Sequence, residues 1–177
     1  MGAANARLGI VPLVEQHYAS LFRYAYRLSG SQADAEDLTQ EAFCKAHSQL
    51  SQLRNHDRAK PWLYSILRNA YLHRVRGDRN HKQVSLESLG ELPERLPAEL
   101  PEIGSEQLQR ALNALPEGFR TPVILYYFED MSYRDIAEQM ELPIGTVMSR
   151  LARAKAHLRE HLAPTNLSAE GEVGHGL

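Results

Sequence analysis

Apolar residues recur at three- and four-residue steps in every long stretch of this chain outside its middle, and no stretch alternates as a strand would, so the pattern predicts an all-α fold. Leu13, Val14, His17, Tyr18, Leu21, Phe22, Ala25 and Leu28 make one face of a first helix, which Gly30 stops. Ser31 caps a second helix with Ala35, Leu38, Ala42, Ala46 and Leu50 on its apolar face. A loop over 51–60 leads to Pro61, placed for the first turn of a third helix carrying Leu63, Ile66, Leu67, Ala70 and Val75. The periodicity then fails, and Pro93, Pro97 and Pro101 break any helix there. It resumes at Leu108, Ala111, Leu112 and Leu115, stops at Pro116 and restarts through Val123, Ile124, Tyr127 and Phe128. Ser132-Tyr-Arg-Asp135 has the form of a capping box and opens a short helix with Ile136, Ala137 and Met140 inward. A turn at Glu141, Leu142 and Pro143 precedes a last helix built on Val147, Leu151, Ala154 and Leu158.

These elements divide the chain into two small helical domains, 10–82 and 105–162, joined by a linker over 83–104 and followed by a tail over 163–177. With 177 residues, 43% of them hydrophobic, each domain can bury a core, and a fully disordered chain is excluded. Cys44 stands alone, which excludes an intrachain disulfide and a cysteine metal cage. No apolar run approaches the roughly 20 residues of a membrane span. The first ten residues lack the basic start, apolar stretch and cleavage site of a secretion signal. The expectation is a soluble, cytoplasmic protein without membrane insertion.

The net charge of −2 conceals segments of opposite sign. Between Arg54 and Lys82 eight cations face two anions, net +6. Between Glu87 and Glu106 six glutamates face Arg95, net −5, so the Pro-spaced linker is acidic. Between Pro143 and Leu162 four cations face Glu160, net +3. Two basic segments flanking an acidic one suggest two separate contacts on a polyanion.

The last two helices, a short capped one and a second with a basic exposed face, match a helix-turn-helix whose second helix enters the major groove. Gly145, Thr146 and Ser149 are small or hydroxylic and admit phosphates at the helix start, while Arg150 and Arg153, three apart, share a face; an ordinary helical hairpin is the bland alternative. The third helix mixes Trp62, Tyr64, Asn69 and Tyr71 with Arg74, Arg76 and Arg79, the combination that stacks on unpaired bases and follows a single-stranded backbone; the alternative places Trp62 and Tyr64 in the core. On the second helix Asp34, Asp37 and Glu41 share one face, which is either solvated or a docking surface for a basic partner. The eight histidines show no ligand spacing with a third donor, and no phosphate loop, nucleophile elbow or carboxylate dyad occurs, so metal, cofactor and catalytic residues are all expected to be absent.

Taken together and in order, these pieces resemble the extracytoplasmic-function sigma factors, the promoter-specificity subunits of bacterial RNA polymerase. The resemblance runs from Leu13 to Leu162. Asp34-Ala-Glu-Asp-Leu-Thr-Gln-Glu-Ala-Phe43 is similar to that family's polymerase-binding helix, and Trp62-Leu-Tyr-Ser-Ile-Leu-Arg-Asn69 to its promoter-melting helix. Leu115-Pro-Glu-Gly-Phe-Arg120, Ser132-Tyr-Arg-Asp-Ile-Ala137 and Gly145-Thr-Val-Met-Ser-Arg-Leu-Ala-Arg-Ala154 are similar to its C-terminal DNA-binding domain. The resemblance implies a region-two-like domain over 10–82 and a region-four-like domain over 105–162. Asp34, Asp37, Gln40 and Glu41 would dock on core polymerase. Arg58, Lys60, Trp62, Tyr64, Asn69, Arg74, Arg76 and Arg79 would melt and hold the minus-ten element. Gly145, Thr146, Met148, Ser149, Arg150, Arg153 and Lys155 would read the minus-thirty-five element in duplex DNA. An anti-sigma factor is the further partner implied. Met148 stands where many relatives carry a basic residue, and Glu141 where a turn glycine is common. The runner-up is a helix-turn-helix regulator that binds duplex DNA without joining polymerase; it leaves the third helix and the acidic linker without a role.

Overall fold

The structure, a computed structural model, describes residues 9–77 and 105–162. The expected linker and tail, and Arg79 with them, lie outside the described residues. Among those described, every regular element is helical: α1 (Ile10–Ser29), α2 (Gln32–Ser48), α3 (Ala59–Gly77), α4 (Ser105–Ala114), α5 (Glu117–Tyr127), α6 (Tyr133–Met140) and α7 (Ile144–Leu162), with two short 3-10 turns at Leu50–Gln52 and His56–Arg58.

The helix ends follow the local chemistry read from the sequence. Gly30 takes the left-handed conformation at φ 72 and returns its N–H to the Tyr26 carbonyl at 2.7 Å. The Ser31 hydroxyl accepts the Asp34 N–H at 3.3 Å, and the Ser132 hydroxyl accepts the Asp135 N–H at 3.1 Å. Pro61 falls in the first turn of α3, where its missing N–H costs nothing. Glu141 sits at φ 55, a conformation that favours glycine and that a side chain enters at a cost of about 1–2 kcal/mol. α5 begins at Glu117, several residues before the expected restart, and carries Pro122 in its interior. Pro122 has no N–H to give the carbonyl four residues back, that of Gly118, and the Arg150 guanidinium takes that carbonyl instead at 3.2 Å. Gly118 permits the approach, since a Cβ there would lie 3.1 Å from the Arg150 Nη1.

The two helical groups share one continuous core. Leu21, Tyr24 and Leu28 of α1, Leu38 and Ala42 of α2, and Leu63 and Leu67 of α3 join Leu112 of α4, Phe119 and Ile124 of α5, Ile136 of α6 and Val147 and Leu151 of α7 in a single buried cluster. α1 is the common element, packing on α2, α3, α4 and α5. Its last turn is completed by the C-terminal group. Gln109 Nε2 donates to the Arg27 carbonyl at 3.2 Å, and Arg120 Nη1 donates to the Leu28 carbonyl at 2.7 Å. The other nitrogens of Arg120 cover the Asn113 and Leu115 carbonyls at the end of α4, each at 2.9 Å from Nη2. One arginine therefore closes two helix C-termini whose carbonyls lack intrahelical donors.

Candidate nucleic-acid interface

α2 carries its acids on the solvent side because Ala35, Leu38, Thr39, Ala42, Phe43 and Ala46 turn the opposite face into the core. Asp34, Asp37 and Gln40 are exposed and Glu41 half-exposed. The face is not a bare anionic strip. Arg74 reaches across from α3 to Glu41 at 3.2 Å and Asp37 at 3.7 Å, and Lys45 holds Glu41 at 2.7 Å. The Lys45 contact foremost, then Arg74, keeps the Glu41 carboxyl below its ordinary value. Arg74, expected among the strand-binding cations, thus faces the acids of α2. Gln40 lines an apolar groove between α1 and α2 with Val14, Tyr18, Phe43, Cys44 and His47.

Of the expected strand-binding residues, Arg58 and Lys60 meet the C-terminal group, and Arg68, which is not among them, does so as well. Arg58, at the end of the 3-10 turn, holds Asp135 at 2.6 Å and Glu138 at 2.7 Å, both on α6. Lys60 Nζ donates to the Glu129 carbonyl at 2.6 Å. Arg68 reaches Glu117 of α5 at 3.2 Å. Trp62 is half-buried against the core, while Asn69 and Arg76 are exposed.

Tyr64 departs from the expectation of a base-stacking ring. It is fully buried, stacked on Tyr24 with ring centroids 4.7 Å apart, and its hydroxyl donates to Glu129 Oε2 at 2.5 Å. Tyrosine at this spacing fills the core because its ring lies on the same face as Leu67 and Tyr71, with the phenol directed at a buried acceptor. Glu129 is only 4% exposed; burial raises its carboxyl above the ordinary value, and the Tyr64 hydroxyl and Lys60 act against that rise. Sequence reasoning missed Glu129, and Arg120 entered it only as the last residue of a motif, without its role in the fold. Both act over distances of 65 residues or more, as in Tyr64 to Glu129 and Arg120 to Leu28, and no local pattern marks such pairs.

The helix-turn-helix forms from α6 and α7. Val147, Leu151, Ala154, Leu158 and Leu162 make the buried stripe of α7. Gly145 and Met148 are exposed, and Thr146, Ser149, Arg153 and Lys155 half-exposed. Arg150 is directed inward, onto the Gly118 carbonyl and 5.9 Å from the centre of the Phe119 ring. It is consequently held by the fold of its own domain, whereas Arg153 Nε finds no hydrogen-bond partner among the described residues.

The comparisons with known proteins agree with this layout. A family model described as Sigma-70 region 2 matches residues 13–81, and one described as Sigma-70, region 4 matches residues 105–158. The chain is 38% identical over 160 residues to the ECF RNA polymerase sigma factor SigE of Mycolicibacterium smegmatis, covering 85% of this chain and 60% of that relative. It thus spans under two thirds of that protein's length. It is 32% identical to the ECF RNA polymerase sigma factor SigM of Mycobacterium tuberculosis, over 92% of this chain and 82% of the relative. Among solved structures, the sigma factor RpoE of Bartonella quintana in complex with the anti-sigma factor NepR is similar at TM-score 0.71 and 29% identity, covering 88% of this chain and 97% of that one.

Proposed function

The chain belongs to the extracytoplasmic-function family of RNA polymerase sigma factors, and from that premise we propose that it binds core RNA polymerase and directs promoter-specific initiation. The domain over 10–82 recognises and melts the minus-ten element; the helix-turn-helix over 105–162 reads the minus-thirty-five element; the acidic linker over 83–104 connects them. Bond formation is left to polymerase, so the protein acts in the cytoplasm as a non-catalytic subunit, with an anti-sigma factor as its inhibitor. The observation that carries the reading is the presence of both sigma regions in one chain, in order. A regulator confined to duplex DNA has use for the second alone.

On this reading Asp34, Asp37, Gln40 and Glu41 form the edge offered to polymerase, and Arg58, Lys60, Trp62, Asn69 and Arg76 the surface offered to the melted strand. Arg58, Lys60 and Arg68 are engaged by α5, α6 and the turn between them. A strand gains those cations only in competition with these partners. The test is gel filtration of the purified chain with bacterial core polymerase, followed by permanganate footprinting on promoter DNA. Co-elution and reactive thymines near the start site are expected. A folded chain that elutes apart from polymerase while still binding duplex DNA would overturn the reading in favour of the runner-up.

A further inference from the structure

The upstream-reading surface of α7 is unusual in what its tip lacks. Between Ile144 and Ser149 there is no charged or amide side chain, and the first cation, Arg150, is held on the Gly118 carbonyl. The Ser149 hydroxyl is likewise engaged, donating to the Thr146 carbonyl at 3.0 Å. Beside the half-exposed Thr146, what the tip exposes is apolar. Ile144 is 47% exposed and Met148 50%, two of the six large hydrophobic side chains exposed among the described residues, and they lie four residues apart on one edge of the helix.

Gly145 adds a second observation. A Cβ placed there would meet nothing within 4 Å, so the fold does not need a glycine at this position. Gly145 therefore leaves the first turn of α7 open to something that approaches from outside.

Resting on the sigma reading above, we propose that Met148 and Ile144 form an apolar reading edge that selects upstream elements by the C5-methyl groups of thymine. The major groove shows donors and acceptors at every base pair, but the thymine methyl is the apolar group it offers, and guanine is ordinarily recognised by an Arg or Lys fork that this tip does not present. Met148 suits the role because its unbranched thioether adapts to the position of a methyl. Gly145 lets the helix tip sit close enough for those contacts.

The experiment is selection by the reconstituted polymerase complex from duplexes randomised in the upstream region, followed by replacement of each selected thymine with deoxyuridine, which removes the C5-methyl alone. The expected result is an upstream element containing thymine on either strand, with affinity falling about fourfold for each methyl that the edge covers. Met148→Ala and Ile144→Ala should lose that discrimination between thymine and deoxyuridine while their circular dichroism and melting stay as in the parent, since both side chains are exposed. Met148→Arg should shift the selected pair toward G·C and steepen the salt dependence. An upstream element whose affinity is indifferent to deoxyuridine at every position overturns the proposal and leaves the sigma reading standing, as does discrimination that survives both alanine variants. Failure of the complex to form, or to select any upstream element, removes the proposal together with the reading beneath it.

Discussion

The two helices that serve DNA on this reading, α3 and α7, are provisioned in opposite ways. On α3 and the turn before it four of the long cations already have partners within the chain: Arg58 on Asp135 and Glu138, Lys60 on the Glu129 carbonyl, Arg68 on Glu117, Arg74 on Glu41 and Asp37. The tip of α7 has almost no polar side chain to satisfy, and Arg150, the one cation near it, is consumed by a carbonyl that Pro122 leaves without a donor. The difference follows from the ligands. A melted strand is flexible and is held by mobile cations, which in its absence settle on neighbouring carboxylates. A duplex is stiff, so the surface that reads it must already be shaped and open.

Breaking the buried end of the α3 contacts should have the largest effect. Tyr64→Phe leaves the Glu129 carboxylate, 4% exposed, without its hydroxyl donor and with Lys60 Nζ at 3.9 Å and the more distant Arg27 and Arg23 to offset its charge. The expected cost is about 2–3 kcal/mol in urea unfolding. Permanganate reactivity of promoter thymines should be unchanged at equal folded fraction, because the ring packs on Tyr24 rather than on a base. Arg150→Ala should cost about 1–2 kcal/mol, since the Gly118 carbonyl loses a charged donor. Arg153→Ala should leave stability within about 0.5 kcal/mol and reduce the salt slope of upstream binding. An Arg150 variant that kept its stability but lost upstream affinity would erase the distinction drawn between the two arginines.

Acid should weaken both regions in the same direction. Burial pushes His17 of α1 and His157 of α7 below the ordinary histidine value of 6.5, with Lys60 adding to the effect on His17 and His161 to that on His157. Their folded values are lower than their unfolded ones, so unfolding takes up protons. The stability they support is present above pH 6.5 and is lost as pH falls below it. His17→Gln and His157→Gln should each flatten part of the decline in unfolding free energy measured from pH 7 to pH 5, and additivity of the two would show that each region titrates on its own.

The sequence was legible wherever the determinant was local. Gly30, Ser31 and Ser132 mark their helix ends because each acts on a backbone group within four residues. The periodic leucines name the buried faces for the same reason. What could not be read was the meeting of the two groups: a linker rich in proline suggests two separate bodies, yet Arg120 reaches back to Leu28 and the core runs through both. Tyr64 illustrates the limit. Aromatic rings beside arginines suit a strand-binding surface and a core equally, and only the position of Glu129, far along the chain, decides between them. Arg150 was closer to legible, for Pro122 four residues after Gly118 announces a carbonyl without its helical donor.

The smallest change in stability carries the sharpest test of the comparison. Glu138 is 70% exposed at its side chain and Arg58 46%, so their ion pair at 2.7 Å is a surface contact, worth less than about 1 kcal/mol. Glu138→Lys should therefore barely move the unfolding midpoint. It should nevertheless change where Arg58 rests, because a cation beside it repels the guanidinium and loosens its hold on Asp135. If α3 keeps its cations on α6 for want of a strand, this variant should bind a single-stranded oligonucleotide more tightly than the parent in the absence of polymerase, and added salt should reduce that gain. Arg58→Ala in the same background should remove it. Equal binding by parent and variant would mean that the acids of α6 and the strand do not compete for Arg58, and α3 would then resemble α7 in standing open before its ligand arrives.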